Sequence, residues 1–283
     1  MERHHRGVRP PVEQIITSVR GVKIGYSIMN KEESETMVFL HGFTGSSTTW
    51  EPIIKRLPIT VRCIAVDLLG HGKTEAPQQT ERYQMSEQVL DLHALFVSLQ
   101  VSDFTLVGYS MGGRIALAYA LHYPEHVKRL VLESASPGLQ SETEQLTRIQ
   151  ADDSLANKIA QEGIPAFIDF WQDIPLFQSQ KKLPSIKRQA IRHERLQQSS
   201  LGLVNSLKGI GTGRQPSFWS QLSELNMPVT IITGELDQKF YLIAQQMKNC
   251  IVNSEHIEVL DVGHAIHVEN PVQFATIIME QVN

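Results

Sequence analysis

Apolar and polar residues alternate over Glu13–Val19 and again over Val22–Met29, on either side of Arg20-Gly21. That pattern predicts two antiparallel strands joined by a tight turn. After a charged loop from Lys31 to Glu35, Met37-Val38-Phe39-Leu40 is an unbroken apolar run, the mark of a strand buried on both faces. Arg62 to Leu68, Phe104 to Val107, Val127 to Glu133, Pro228 to Gly234 and His256 to Leu260 read as further strands. Helices are expected from about Thr49 to Leu57, over Ile115 to Tyr123, and over Tyr241 to Met247. Another is expected over Met85 to Leu99, where Val89, Leu92, Leu95, Phe96 and Leu99 recur at helical spacing and Ser86 is a candidate cap. The last runs from Pro271 to Val282, with its proline in the first turn. Strand and helix alternate, so right-handed crossovers predict an α/β fold: a mostly parallel central sheet with helices on both faces.

From Ser136 to about Leu225 the alternation stops. Glu142 to Gln161, Ala166 to Gln172, Ile186 to Leu196 and Leu201 to Ser206 read as helices, broken at Pro165, Pro175, Pro184 and Pro216. The expected organisation is a flexible leader over 1–12, a core over 13–135 and 226–283, and a helical cap inserted over 136–225. The chain carries no internal repeat or low-complexity tract.

Composition narrows the classes. The 283 residues are 41% hydrophobic and 20% charged, ordinary for a globular protein with one large domain or one domain and an insertion. A formal net charge of -4 argues against a general nucleic-acid binder, which needs a basic surface for phosphates. Two cysteines, Cys63 and Cys250, cannot build a disulfide scaffold, and both are expected to be buried thiols. The polar, Arg/His-rich stretch Met1 to Pro11 has no apolar core and is not a secretory signal. No window approaches the roughly 18 apolar residues of a membrane span. The cytoplasm is the expected compartment, and a monomer is compatible with the sequence.

The candidate chemistry sits at strand ends, where parallel α/β sheets bind ligands. Gly108-Tyr109-Ser110-Met111-Gly112 follows an apolar strand and opens a helix, the G-x-S-x-G nucleophile elbow. Ser110 alone could be a helix cap, and His264 alone a loop histidine. Asp237 follows the first strand after the insertion and His264 follows the last, so Ser, Asp and His appear in the order expected of an α/β-hydrolase sheet. The chemistry needs all three, because a serine hydroxyl stays weakly nucleophilic and weakly basic until an imidazole takes its proton and a carboxylate fixes that imidazole. Glu133 is the rival acid and His267 the rival base, although packing or substrate contact suits His267 better; Asp67 and Asp261 suit turns. His264 and His267 lack the third ligand of a zinc site. The backbone amides of Met111 and of Phe43, after His41-Gly42, are the expected oxyanion hole.

Arg114 does not fit a generic esterase, since an early helix position beside an elbow usually packs a small or apolar group. A surface ion pair is one explanation; an anionic substrate beside Ser110 is the other. Arg148, Arg192, Arg195 and Lys239 add cations where a lid would close.

In Leu40-His41-Gly42-Phe43, Gly108–Arg114, Ser136–Gln140, Trp171–Phe177 (WQDIPLF), Gly209–Trp219, Gly234–Phe240 and Gly263–Pro271 the chain resembles one α/β-hydrolase family. These are the 2-succinyl-6-hydroxy-2,4-cyclohexadiene-1-carboxylate synthases of menaquinone biosynthesis. The resemblance implies a lyase that removes pyruvate from 2-succinyl-5-enolpyruvyl-6-hydroxy-3-cyclohexene-1-carboxylate, a small-molecule substrate with three carboxylates, and it implies no cofactor or metal. It further implies Arg114, Arg148 and Arg192 as anion contacts, with Tyr109, Trp171, Phe177 and Lys239 lining the site, and Gln140 and His41 beside them. Gln145 departs from the pattern, standing where an arginine is expected. The alternatives are a serine hydrolase for an ester or carbon-carbon bond of a carboxylated compound, and a silent scaffold that binds a carboxylated ligand.

Overall fold

The computed structural model describes residues 11–282. The expected leader therefore falls almost entirely outside the described residues. Among the described residues eight strands form one sheet: β1 (Glu13–Val19), β2 (Val22–Met29), β3 (Thr36–Leu40), β4 (Arg62–Val66), β5 (Phe104–Tyr109), β6 (Val127–Glu133), β7 (Val229–Gly234) and β8 (Ser254–Val259). Their order is β1-β2-β4-β3-β5-β6-β7-β8. β1 pairs antiparallel with β2, and β2 with β4; every other neighbour is parallel. The β1–β2 hairpin turns through Arg20 (φ 48) and Gly21 (φ 80), and two positive φ values in a two-residue loop match the twist of the flanking strands.

The helices are α1 (Glu51–Ile54), α2 (Met85–Ser98), α3 (Met111–His122), α4 (Glu142–Glu162), α5 (Ile164–Trp171), α6 (Ser185–Leu196), α7 (Ser200–Ile210), α8 (Gln238–Cys250), α9 (Ile266–Glu269) and α10 (Pro271–Glu280). Three local expectations change. The helix expected over Thr49 to Leu57 is a 3-10 turn, Ser47–Trp50, followed by the single turn α1; Pro58 disfavours continuing it, because a residue before proline avoids helical geometry. Ser86 is no cap: the residue before α2 is Gln84, which makes no side-chain cap bond, and Ser86 lies within the first turn. Cys63 is buried as expected, but Cys250 is exposed, because it ends α8 at the surface.

The unbroken apolar run of β3 is explained by two cores. Val38 and Leu40 join Ile64, Leu106 and the α2 and α3 side chains on one face. Met37 and Phe39 join Val107, Trp50 and Phe274 of α10 on the other. A strand with period-2 geometry must be apolar at every position to serve both. Between β6 and β7 the chain is helical, α4 to α7, with its own small core of Ala156, Ile159, Phe167, Ile168, Leu203 and Leu207. Gly202 of α7 lies so close to Gly70 that a Cβ would stand 2.0 Å from the Gly70 carbonyl oxygen, so the absence of a side chain sets how deeply this lid seats on the strand ends.

Candidate active site

β5 and α3 meet at Ser110, whose φ of 50 and ψ of -112 are an unusual conformation for a residue with a Cβ. Such a conformation costs about 1–3 kcal/mol and persists only where the surroundings enforce it. They do: the Ser110 N–H donates to the Glu133 carbonyl (2.9 Å), and its own carbonyl accepts the Arg114 N–H (2.9 Å). A Cβ on Gly112 would stand 2.3 Å from the Leu40 carbonyl oxygen, so α3 can start this close to β3 only with glycine there.

The sheet brings two more strand ends to Ser110. Asp237 precedes α8 and His264 precedes α9. His264 Nδ1 lies 2.7 Å from Asp237 Oδ2 and Nε2 lies 3.2 Å from Ser110 Oγ. A carboxylate can only accept, so Nδ1 carries the hydrogen and Nε2 is left to receive one from the serine. The His264 side chain is 2% exposed, and Phe240, Tyr109 and Phe177 surround its ring.

Glu133 and His267, the rival acid and base, bond to each other instead. Glu133 accepts from His267 Nδ1 (2.8 Å) and from the His267 N–H (3.1 Å), and both side chains are essentially unexposed. Trp50 stacks on the His267 ring at 4.6 Å. The next residue, Ser134, donates its hydroxyl to the His264 carbonyl (2.6 Å). The end of β6 thus grips the His264 loop on both sides. Asp67 accepts the N–H groups of Ser47 (2.6 Å) and Lys73 (3.1 Å), a turn-forming role as expected.

Phe43 and Met111 both line the cavity over Ser110. His41 does not reach it. Its Nδ1 donates to the Gly42 carbonyl (2.8 Å) and its Nε2 accepts the Leu68 N–H (2.9 Å), so it ties the Phe43 loop to the turn after β4. His71 does the same from the other side, accepting the Thr44 N–H (3.3 Å). Burial pushes these imidazoles down, His41 to about 4 and His71 to about 3.

The cavity holds about 200 Å³. Arg114, Arg148, Trp171, Phe177 and Lys239 of the predicted set line it together with Ser110 and His264. Arg114 is buried and bonds only neutral oxygens, the Ile210 carbonyl (2.6 Å) and Gln215 Oε1 (2.7 Å). Burial, reinforced by Arg148 nearby, pulls its guanidinium down to about 10. Arg148 holds Asp152 at 3.1 Å. The Trp171 Nε1 and Ser206 Oγ atoms are buried without hydrogen-bond partners among the described residues.

Four predicted contacts lie elsewhere. Besides His41, Tyr109 lines a smaller hollow behind the Phe43 loop, with its ring edge on His267 at 4.7 Å. Arg192 points outward to Asp169 (2.5 Å) and Gln172 (3.4 Å). Gln140 is exposed and outside the cavity lining, where its neighbour Leu139 takes part instead. Of the two cations near the end of α6, the inward one is Arg195, whose guanidinium lies 4.7 Å from the Phe177 ring centroid. Gln145 supports the same loop by donating to the Leu139 carbonyl (2.9 Å). Sequence reasoning also missed the apolar lining from Leu139, Leu155, Leu207 and Ile243, which carries no signal beyond ordinary helical patterning.

A strand-turn-helix serine, an acid and a histidine on later strand ends, and a helical lid between β6 and β7 are the features of α/β hydrolases. The chain belongs to the alpha/beta hydrolase fold family, which matches over residues 35–271. Within it, the chain is 44% identical over 94% of its length, and over 96% of the relative's, to a Bacillus subtilis (strain 168) protein provisionally named as a 2-succinyl-6-hydroxy-2,4-cyclohexadiene-1-carboxylate synthase. It is 30% identical, over 86% of this chain and 90% of that one, to the Enterobacter sp. (strain 638) protein of that name. The MenH structure from S. aureus superposes with a TM-score of 0.87 at 37% identity, covering 91% of this chain and 97% of that one. The chain is thus a member of the 2-succinyl-6-hydroxy-2,4-cyclohexadiene-1-carboxylate synthase family.

Proposed function

We propose that the protein is a lyase that eliminates pyruvate from 2-succinyl-5-enolpyruvyl-6-hydroxy-3-cyclohexene-1-carboxylate, giving 2-succinyl-6-hydroxy-2,4-cyclohexadiene-1-carboxylate, and that it acts in the cytoplasm. The observation that carries this reading is Arg114, a buried guanidinium facing the cavity one turn from Ser110 and bonded only to neutral oxygens. The nearby carboxylate, Asp152, is hydrogen-bonded to Arg148 (3.1 Å) and makes no bond to Arg114, so a substrate carboxylate that accepts the remaining guanidinium N–H groups offsets the cost of burying that charge. Arg148 and Lys239 line the same cavity and suit a substrate with several carboxylates.

In this reading His264 accepts the Ser110 proton, and Ser110 Oγ takes the ring proton next to the succinyl ketone. Asp237 holds the His264 tautomer and offsets its positive charge. The ketone oxygen becomes an enolate that accepts the Phe43 and Met111 N–H groups. Its electron pair returns through the ring double bond, the ring carbon–oxygen bond breaks, and the enolpyruvyl group leaves and takes up a proton to become pyruvate. Water is not consumed. A turnover assay that follows pyruvate and the conjugated diene tests this directly. Equal amounts of both are expected from the native protein and almost none from Ser110→Ala; hydrolysis products instead would point to the serine-hydrolase alternative.

A further inference from the structure

The lid touches the Phe43 loop through two side chains at one end of α6. Glu194 Oε1 accepts the Ser46 N–H (2.9 Å) and the hydroxyls of Ser46 (3.4 Å) and Thr49. Four residues on, Gln198 donates Nε2 to the Gly45 carbonyl (3.2 Å) and accepts the Gly72 N–H with Oε1 (3.0 Å). The same Nε2 also donates to the Glu194 carbonyl (3.2 Å), which ties the two residues together.

The loop's amides can be followed one by one. Thr44 N–H goes to His71, Gly45 N–H to the Gly42 carbonyl (3.0 Å), and Ser47 N–H to Asp67, while Ser46 N–H is shared between Glu194 (2.9 Å) and, at longer range, Thr49 Oγ1 (3.3 Å). Phe43 N–H donates to nothing among the described residues, as an oxyanion donor waiting for its ligand must. Among these acceptors Glu194 alone comes from the lid; the others belong to the core. The Phe43 ring continues the same contact, meeting Trp171 of α5 edge-on at 5.5 Å.

We propose that Glu194, with Gln198 beside it, is a positioning residue that makes the placement of the Phe43 amide depend on the docking of α6, so that closing the lid and completing the oxyanion hole are one event. This rests on the functional reading above, which gives the Phe43 amide its task. A charge-assisted bond to a backbone N–H is among the stronger contacts a loop can have. If α6 lifts, the Gly45 carbonyl loses its lid partner and Ser46 N–H keeps only the longer bond to Thr49 Oγ1 (3.3 Å), so the loop regains freedom. A displacement of about 1 Å at a reacting group can cost on the order of 10²-fold in rate. The same carboxylate could instead merely help cap the 3-10 turn Ser47–Trp50, and the two roles have different readouts.

The experiment compares the full chain with Glu194→Ala and Glu194→Gln, reading amide hydrogen exchange over residues 42–49 and steady-state pyruvate release. Glu194→Ala should speed exchange of the Phe43 to Ser47 amides by roughly tenfold or more while β5 and β6 keep their protection. It should lower kcat by roughly 10- to 100-fold with KM within about twofold. Glu194→Gln keeps an oxygen that accepts the Ser46 N–H and should restore most of both. Exchange at the native rate in this loop overturns the proposal, as does a rise spread evenly over the chain or a KM increase with kcat intact. If the native protein itself releases no pyruvate, the functional reading fails, and the exchange measurement still decides the coupling.

Discussion

The two walls of the cavity over Ser110 differ in how fully the groups that face it are paired. On the sheet side, the groups that hold the reacting pair are hydrogen-bonded: His264 with Asp237 and Ser110, Ser134 with the His264 carbonyl, and Glu133 with Nδ1 of His267, whose Nε2 has no partner among the described residues. On the other side, Arg148 is paired with Asp152, but the Trp171 Nε1 and Ser206 Oγ atoms are unpartnered and Arg114 bonds only neutral oxygens. A paired wall is rigid before substrate arrives, which is what proton transfer requires. An unpaired wall has bonding capacity to give, which is what recognition of a polyanion requires. In the proposed function, chemistry falls mainly to the first wall and recognition to the second.

The largest effect should come from breaking the paired wall at its reacting group. Ser110→Ala is expected to lower pyruvate release by about 10³-fold or more while tricarboxylate binding persists, checked by a rate assay beside calorimetric titration. On the second wall, Arg114→Ala should lower kcat/KM by roughly 10- to 10²-fold, the range of a charge-assisted bond, with thermal stability equal or higher because a buried charge is removed. Unchanged kinetics would return Arg114 to a structural role.

Glu133→Ala tests the pairing behind the reacting group. It leaves the His267 backbone N–H and Nδ1 without their acceptor and should destabilise the fold in chemical denaturation by about 1–3 kcal/mol for each buried donor left unpaired. Acid should loosen the paired side through His41 and His71. Both have folded pKa values depressed below the ordinary 6.5, to about 4 and about 3. The unfolded chain therefore binds protons that the folded one refuses, and stability falls as pH drops from 6.5 towards 4, by on the order of 3 kcal/mol per residue at pH 4. Denaturation series at pH 7, 5.5 and 4.5 should show that slope, and it should be smaller in His71→Gln. The smallest effects belong to residues outside both walls: Arg192→Ala and Gln140→Ala should change kcat/KM by less than about fivefold, since neither lines the cavity and the Arg192–Asp169 ion pair contributes at most about 1 kcal/mol.

Much of this division was legible in the chain itself. β3 and β5 announced themselves as apolar runs because a strand buried on both faces has no polar option. Ser110, Asp237 and His264 stood out because strand ends are where an α/β sheet presents side chains. The partners of Glu133 and His267 were not legible: the bond spans 134 positions, and either residue could equally have served the serine. His41 was misassigned to the substrate because its motif places it next to Phe43, while its ring turns to the Leu68 amide, a choice made by packing across two loops. On α6 the sequence SIKRQAIRHERL carries too few apolar residues to fix which cation faces inward, so Arg192 and Arg195 could be separated only by where Phe177 and Asp169 lie.

The central claim is that Ser110 moves a proton and forms no bond to carbon. Single-turnover pyruvate release, measured with deuterium at the ring carbon next to the succinyl ketone, tests it most directly. Slower release from the deuterated substrate is the predicted result, because removal of that hydrogen precedes loss of pyruvate. Release at an unchanged rate, together with a mass increase on Ser110 in the quenched protein, would contradict it.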